Sequence, residues 1–471
     1  MANSKELVLD NLSELLFDGE EDICGLRDVL DLEEVETLLD GNEAAIQELH
    51  RELTRELFGR TLSAGTRESY VLRDVVGVSG FEVMYEKAHG GLPRARRSFR
   101  QLTRMNVGSF DRLLNLLPQL EDGRVFSKRV KLAMTLDWFA RNTSVRDAQE
   151  RWEMSVERVK EIREEVLDAL WQLRTTYIHH PDSERSRVAC SAAWCSHPKY
   201  IPFWGVLGAV DGVHIPIIVS STSYEKYHVA RKGCCTTNVA AACDASCRVI
   251  FVAPGASGRA NDSTVLRESG GLQLLHDAPF YFWLGDAGYG CSERVLTPYQ
   301  SRGLRYHLKE FSRSADVRPR NRKELFNLRH SQLRNAIERT FGQMKTRFNC
   351  LSGGLRCSKV AKDARVIAAC CIVHNFLKDE RDDISPEERS AWSAACRAAE
   401  ENREDDGDEV DEEWEHFDDF EYEGFVAGHT ANLFVGIGLS PTGRRDKIAD
   451  ALWEQYITVL AERGVQHVEQ P

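Results

Sequence analysis

Apolar positions recur at helical spacing through roughly the first 180 residues, then give way to unbroken runs, so helices should precede a sheet. Near the start, Ile46, Leu49, Leu53 and Leu57 mark one face of an acidic amphipathic helix. Phe110, Leu113, Leu114 and Leu117 share a second apolar face, which Pro118 ends. Three more helices are predicted. The first covers Val130 to Ala140, with Leu132, Leu136 and Phe139 inward. The second runs from Val145 to Trp152 behind a Ser144 cap, and the third follows the Ser155 cap with Val156, Val159, Ile162, Val166 and Leu170 on one face. The short Glu153-Met154 turn between the last two suits a helix-turn-helix. Its reading helix would present Glu157, Arg158, Lys160, Glu161 and Arg163, a mixed face poorly matched to phosphates.

From Tyr200 the period changes. Runs rich in Val, Ile and Phe at 205–211, 214–219, 236–243, 248–253 and 279–285 are divided by Gly, Pro, Ser and Asn, which predicts strands. Helical pattern returns near Ser331 and lasts to Leu377, and Arg444 to Leu460 reads as one more amphipathic helix. The expected fold class is α/β. The chain divides into a helical region of unknown role (1–93), a helix-turn-helix-like unit (94–185), a mixed α/β domain (190–385), an acidic linker (386–425) and a helical segment (426–471).

Charge changes this picture more than composition does. With 471 residues, 42% of them hydrophobic and 29% charged, the chain reads as globular and large enough for several domains. Its longest apolar run, Val366 to Val373, is too short to span a bilayer, and no secretory signal is legible. Thirteen cysteines, scattered singly or in adjacent pairs, suit reduced thiols in cytosol or nucleus. The net charge of -13 conceals an acidic ribbon, Glu400 to Glu423, with fifteen acidic residues against Arg403 alone. Without it the chain is near neutral, and Arg294 to Arg347 holds fourteen Lys/Arg against four acids. A basic body with an acidic ribbon can bind polyanions despite a low pI, although a lone charge run is more often a solvated face. The ribbon could equally be a solvating linker, a mimic of DNA on the basic surface, or, through Trp414, Phe417, Phe420 and Tyr422, a partner-docking segment.

The candidate chemistry lies in carboxylates at the ends of buried strands, where each charge must be paired or bound to metal. Asp211 follows the apolar run Val206-Leu-Gly-Ala-Val, and Asp286 follows Phe280-Tyr-Phe-Trp-Leu-Gly. Asp262 sits in a glycine-rich loop entering a helix, which it would either cap or leave to ligate a metal. Glu338 flanks the helical stripe Leu333, Ile337, Phe341 and Met344. Such a set would hold divalent cations, Mg²⁺ or Mn²⁺, through oxygen ligands. Two ions could activate an attacking oxygen and stabilise the leaving one in phosphodiester cleavage, with Asp211 bridging both.

The motifs Val-Asp211-Gly-Val-His-Ile-Pro, Ala-Asn-Asp262-Ser, Leu-Gly-Asp286-Ala-Gly-Tyr and Asn-Ala-Ile-Glu338-Arg-Thr-Phe-Gly-Gln-Met-Lys-Thr-Arg-Phe are specific in combination. With Ala-Ala-Cys-Cys-Ile-Val-His374-Asn-Phe, they resemble the nuclease component of PIF/Harbinger-type DNA transposons and its domesticated relatives, over about residues 95–380. The resemblance implies a ribonuclease-H-like mixed-sheet core with Asp211, Asp286 and Glu338 as a DDE triad and Asp262 as a further metal-binding position. It also implies double-stranded DNA as substrate, a separate Myb-like DNA-binding partner, a homo-oligomer, and a nuclear location with cytoplasm as the alternative; no membrane partner is expected. The residues expected to hold DNA phosphates are Arg94, Arg96, Arg97, Arg318, Arg320, Arg322, Lys323, Arg339, Lys345 and Arg347. The interval from Asp286 to Glu338 is long and includes an arginine-rich stretch, Arg313 to Lys323, that reads as an insertion.

Other chemistry fits less well. Cys190, Cys195, His197, Cys243 and Cys247 do not pair into a standard zinc spacing. Cys371 and His374 share a helix face with no third group to orient them, and Gly353 to Lys359 lacks the phosphate-loop pattern. A phosphatase-like use of Asp211 as nucleophile would want Asp-x-Asp. A catalytically silent, domesticated DNA- or chromatin-binding derivative is the remaining alternative.

Overall fold

A computed structural model of the protein describes residues 77–275, 277–301, 303–305, 318–356, 360–398 and 438–464. The helix expected at 46–57, the stretch 306–317 and the acidic ribbon lie outside the described residues.

Six helices open the described chain: α1 (Val78–His89), α2 (Pro93–Thr103), α3 (Val107–Asn115), α4 (Lys128–Arg141), α5 (Val145–Trp152) and α6 (Val156–Gln172). Local chemistry sets the α5–α6 joint. Ser144 and Asp147 form a capping box at the start of α5, Glu153 turns into the left-handed region, and the Ser155 hydroxyl accepts from the Arg158 amide. Phe110, Leu113, Leu114 and Leu117 are all buried, as are Val159, Ile162, Val166 and Leu170.

The sheet is built from β1 (Val206–Pro216), β2 (His228–Val229), β3 (Cys234–Cys243), β4 (Val249–Ser257), β5 (Phe282–Gly285) and β6 (Val295–Leu296). Its order is β4-β3-β1-β5-β6, with β2 also on β3. β4, β3 and β1 are antiparallel, whereas β1, β5 and β6 are parallel. A mixed sheet of this kind, covered by helices, is consistent with a DDE, ribonuclease-H-like core. The strands expected at 205–211 and 214–219 are a single strand, because β3 pairs with β1 from Ala209 to Pro216 straight through Gly212.

Later helices are α7 (Glu184–Trp194), α8 (Asp262–Glu268), α9 (Arg322–Arg347), α10 (Val360–Asp379), α11 (Pro386–Ala398) and α12 (Pro441–Glu462). Leu207, Val210 and Trp283 share one core with Val265 and Leu266 of α8. Ala209, Phe282 and Leu284 share a second with Leu333 and Ile337 of α9 and Leu452 and Tyr456 of α12. The third core is the largest. It runs from the α1–α6 bundle through Val366, Cys370 and Val373 of α10 to Ile215, Val239 and Val249 of the sheet, so bundle and sheet are packed as one body. α9 begins at Arg322, well before Ser331. Arg305 pairs with buried Glu324 (2.7 Å), and the Asn321 side chain caps the first turn, so this charged stretch is packed helix.

Candidate active site

Strand pairing brings the first two carboxylates together. Val210 of β1 lies opposite Gly285 of its parallel neighbour β5, so the next residues, Asp211 and Asp286, leave that edge side by side. Asp211 lies mid-strand, since β1 continues to Pro216 on β3 alone. Asp286 instead turns into a 3-10 turn, Ala287–Tyr289, with its Oδ1 accepting from the Gly288 amide (2.9 Å). The third carboxylate comes from α9. Arg334 and Glu338 are four residues apart on one helix face, and the buried guanidinium of Arg334 spans the site. It donates to Asp211 Oδ2 at 2.9 Å and forms an ion pair with Glu338 Oε1. Asp211 Oδ1 accepts from the Gly212 amide (2.8 Å).

Asp262 arrives from the other side. Asn261, not Asp262, caps α8, with its Oδ1 accepting from the Ser263 amide (3.0 Å), so the capping role considered for Asp262 falls away. The Asp262 carboxylate instead accepts from Asn238 Nδ2 (2.5 Å) and lies against Gly212. A Cβ at residue 212 would stand 2.3 Å from the Asp262 carboxylate carbon, so only glycine allows this approach. Successive side chains of a strand point to opposite faces. Asp211 therefore faces α9, and Asp262 comes over the opposite face at Gly212.

The electrostatics fit an oxygen-ligand site. Burial pushes the Asp211 carboxyl up to about 7; Arg334 and the Gly212 amide pull it down, while Asp286 and Glu338 push it up. Burial, then the charges of Asp211, Asp262 and Asp286, drive the Tyr289 phenol far above its ordinary value. Its buried hydroxyl has no hydrogen-bond partner among the described residues, although the charges of three carboxylates act on it. An all-carboxylate donor set beside an unpartnered hydroxyl suits a hard divalent cation and its water. As the side chains stand, no three acidic, His or Cys residues among those described converge on one point, because Arg334 lies between Asp211 and Glu338.

The basic residues divide sharply. Arg94, Arg96 and Arg97 of α2 are exposed, as are Arg322 and Lys323, while Arg318, Arg320, Arg339 and Lys345 are half-buried. Lys345 is two turns beyond Glu338 on the same face of α9. Arg347 is a correction to the expected DNA contacts. It is buried, donates to the carbonyls of Arg104 (3.0 Å) and Asp382 (2.6 Å), and is held down to about 10 by burial. Arg100 and Arg104, at the end of the helix that carries Arg94, Arg96 and Arg97, are also turned inward, the first onto Asp382 and Glu388, the second onto the Trp392 ring.

Three site residues escaped the sequence reading: Arg334, Tyr289 and Asn238. The signals available were an arginine four residues before Glu338, a tyrosine three after Asp286, and an asparagine inside the strand run expected at 236–243. His374 and Asn375 belong elsewhere. His374 Nε2 bonds the Cys247 carbonyl (2.8 Å), and Asn375 bonds both the amide and carbonyl of Val249, so they clamp the β3–β4 turn.

Comparison with known proteins agrees with this geometry. Residues 210–375 match the DDE superfamily endonuclease family. "Putative nuclease HARBI1" of Bos taurus is 27% identical over 263 residues, covering 55% of this chain and 66% of that protein. Its Rattus norvegicus counterpart is 28% identical over 46% of this chain and 58% of its own length. "Protein ALP1-like" of Arabidopsis thaliana is 24% identical over 37% and 43%. The chain thus spans just under two thirds of the first of these relatives and less of the others. No solved structure matches it. Over residues 210–375 the chain is thus similar to the DDE superfamily endonucleases, and over about half its length to proteins described as putative HARBI1 nucleases.

Proposed function

We propose that this protein is a metal-dependent DNA endonuclease of the PIF/Harbinger transposase type. The observation that carries the reading is the meeting of Asp211 and Asp286 on adjacent parallel strands, with Glu338 of α9 tied to Asp211 through Arg334. Asp211, Asp286 and Glu338 would hold the divalent cation, with Asp262 as a further ligand from the opposite face. Bound there, a divalent cation supplies Lewis acidity to the phosphodiester and lowers the pKa of the attacking water. Tyr289 stays protonated and offers a hydrogen-bond donor among the acids. Lys345 and Arg339, near Glu338 on α9, hold phosphates next to the site, and Arg94, Arg96, Arg97, Arg322 and Lys323 extend that grip. In the full reaction, water cleaves the phosphodiester and frees a 3′-hydroxyl at the element end; that hydroxyl then attacks a target phosphodiester and displaces the target strand's own 3′-hydroxyl. A Myb-like partner, self-association and a nuclear location complete the proposal.

End-labelled duplex DNA incubated with the full chain and Mn²⁺ or Mg²⁺ tests this. Cuts that leave 3′-hydroxyl ends and vanish with chelator support it. DNA binding without cutting at any metal concentration would favour the second reading, a domesticated DNA-binding derivative. The observation that leans that way is the charge of Arg334, which neutralises Asp211 and Glu338.

A further inference from the structure

That arginine carries an inference that rests on the metal-site reading just proposed. Arg334 is buried, and its two terminal nitrogens reach carboxylates on different elements, Asp211 on β1 and Glu338 on its own helix. Both oxygens of Asp211 are already engaged, Oδ1 by the Gly212 amide and Oδ2 by the guanidinium. A divalent cation ligated by Asp211 and Glu338 would sit where the guanidinium now sits, and two cations repel strongly at that range. We infer that Arg334 is an internal counter-ion that occupies the divalent cation's place and has to leave it before metal can load. The device keeps adjacent carboxylates together in the empty site at the cost of metal affinity. Competition of this kind lowers apparent affinity by the fraction of molecules whose site is open.

The test is Mn²⁺ titration of the full-length protein by calorimetry, with melting curves of the metal-free protein alongside. Arg334→Gln should melt at a lower temperature without metal, because Asp211 and Glu338 then repel. It should bind Mn²⁺ about tenfold more tightly or better, within the 5–150-fold range usual for coupled sites. Arg334→Lys keeps the charge without the forked reach and should fall between, which preserves the test if the glutamine variant does not fold. Unchanged or weaker Mn²⁺ binding by these variants would make Arg334 a purely structural bridge and overturn the inference, leaving the metal site standing. No Mn²⁺ binding by wild type or variants, even at millimolar metal, would overturn the inference and the metal site together.

Discussion

Helices α9 and α10 both carry polar side chains into the interior, and they use them in opposite ways. On α10, Asn375 exchanges hydrogen bonds with both backbone groups of Val249 and donates to the Tyr177 carbonyl (2.7 Å); His374 is pushed down to about 3 by burial and stays neutral. These groups are uncharged and matched to backbone, which is what a structural clamp needs. On α9, Arg334 and Glu338 are ions leaning on one another and on Asp211, near a tyrosine hydroxyl with no hydrogen-bond partner among the described residues. Such an arrangement adds little to stability and is characteristic of a site awaiting a ligand. His374 and Asn375 of α10 hold the fold, whereas Arg334 and Glu338 of α9 stand at the proposed metal site.

Substitutions should separate the two helices. The largest effect is on cleavage. Asp211→Asn, Asp286→Asn and Glu338→Gln should each abolish it while preserving the fold, since each keeps shape but removes the anionic oxygen a hard cation requires. Asn375→Ala should do the reverse. It strands the backbone groups of Val249, costing about 2–4 kcal/mol in denaturant melts, and leaves Mn²⁺ affinity of the folded protein unchanged.

A pH titration sharpens the contrast further. Asp211 rises from an ordinary value of 3.8 to about 7 on folding, so the folded form binds that proton more tightly. The Asp211 contribution to metal-free stability is therefore full below about pH 4 and is lost as pH rises towards 7, against the opposite contribution of buried His180, His330 and His374, which is lost as pH falls. Asp211→Asn should flatten the decline, whereas Asn375→Ala should shift the whole curve down without changing its slope. The smallest effect divides neighbours in the α8 loop. Asn261→Ala should cost about 0.5–2 kcal/mol through loss of the cap. Asp262→Asn should leave that cap intact and weaken Mn²⁺ binding instead, as calorimetry on the pair would reveal.

Legibility followed locality. The starts of α5 and α6 were readable to the residue because Ser144 and Ser155 announce them, and Asp286 stood out because buried strands seldom end in charge. What failed depended on distant partners. Arg347 looks like any basic residue of its run until the Arg104 and Asp382 carbonyls enclose it. Gly212 looks like a strand end, yet β3 carries β1 through it, and the missing side chain serves Asp262. The start of α9 at Arg322, where helical pattern is expected only near Ser331, is hidden because nothing nearby in sequence reveals that Arg305 will pair with Glu324 and that Asn321 will cap the first turn.

The most direct measurement is cleavage of labelled duplex DNA in Mn²⁺ by wild type, Asp286→Asn and Asn375→Ala, each below its own melting temperature and normalised to folded protein. The account predicts no cutting by Asp286→Asn at a melting temperature close to wild type, and near-normal cutting by Asn375→Ala despite its lower melting temperature. Wild-type cutting by pure Asp286→Asn would contradict it, because the Asp286 carboxylate would then not belong to the site of the reaction.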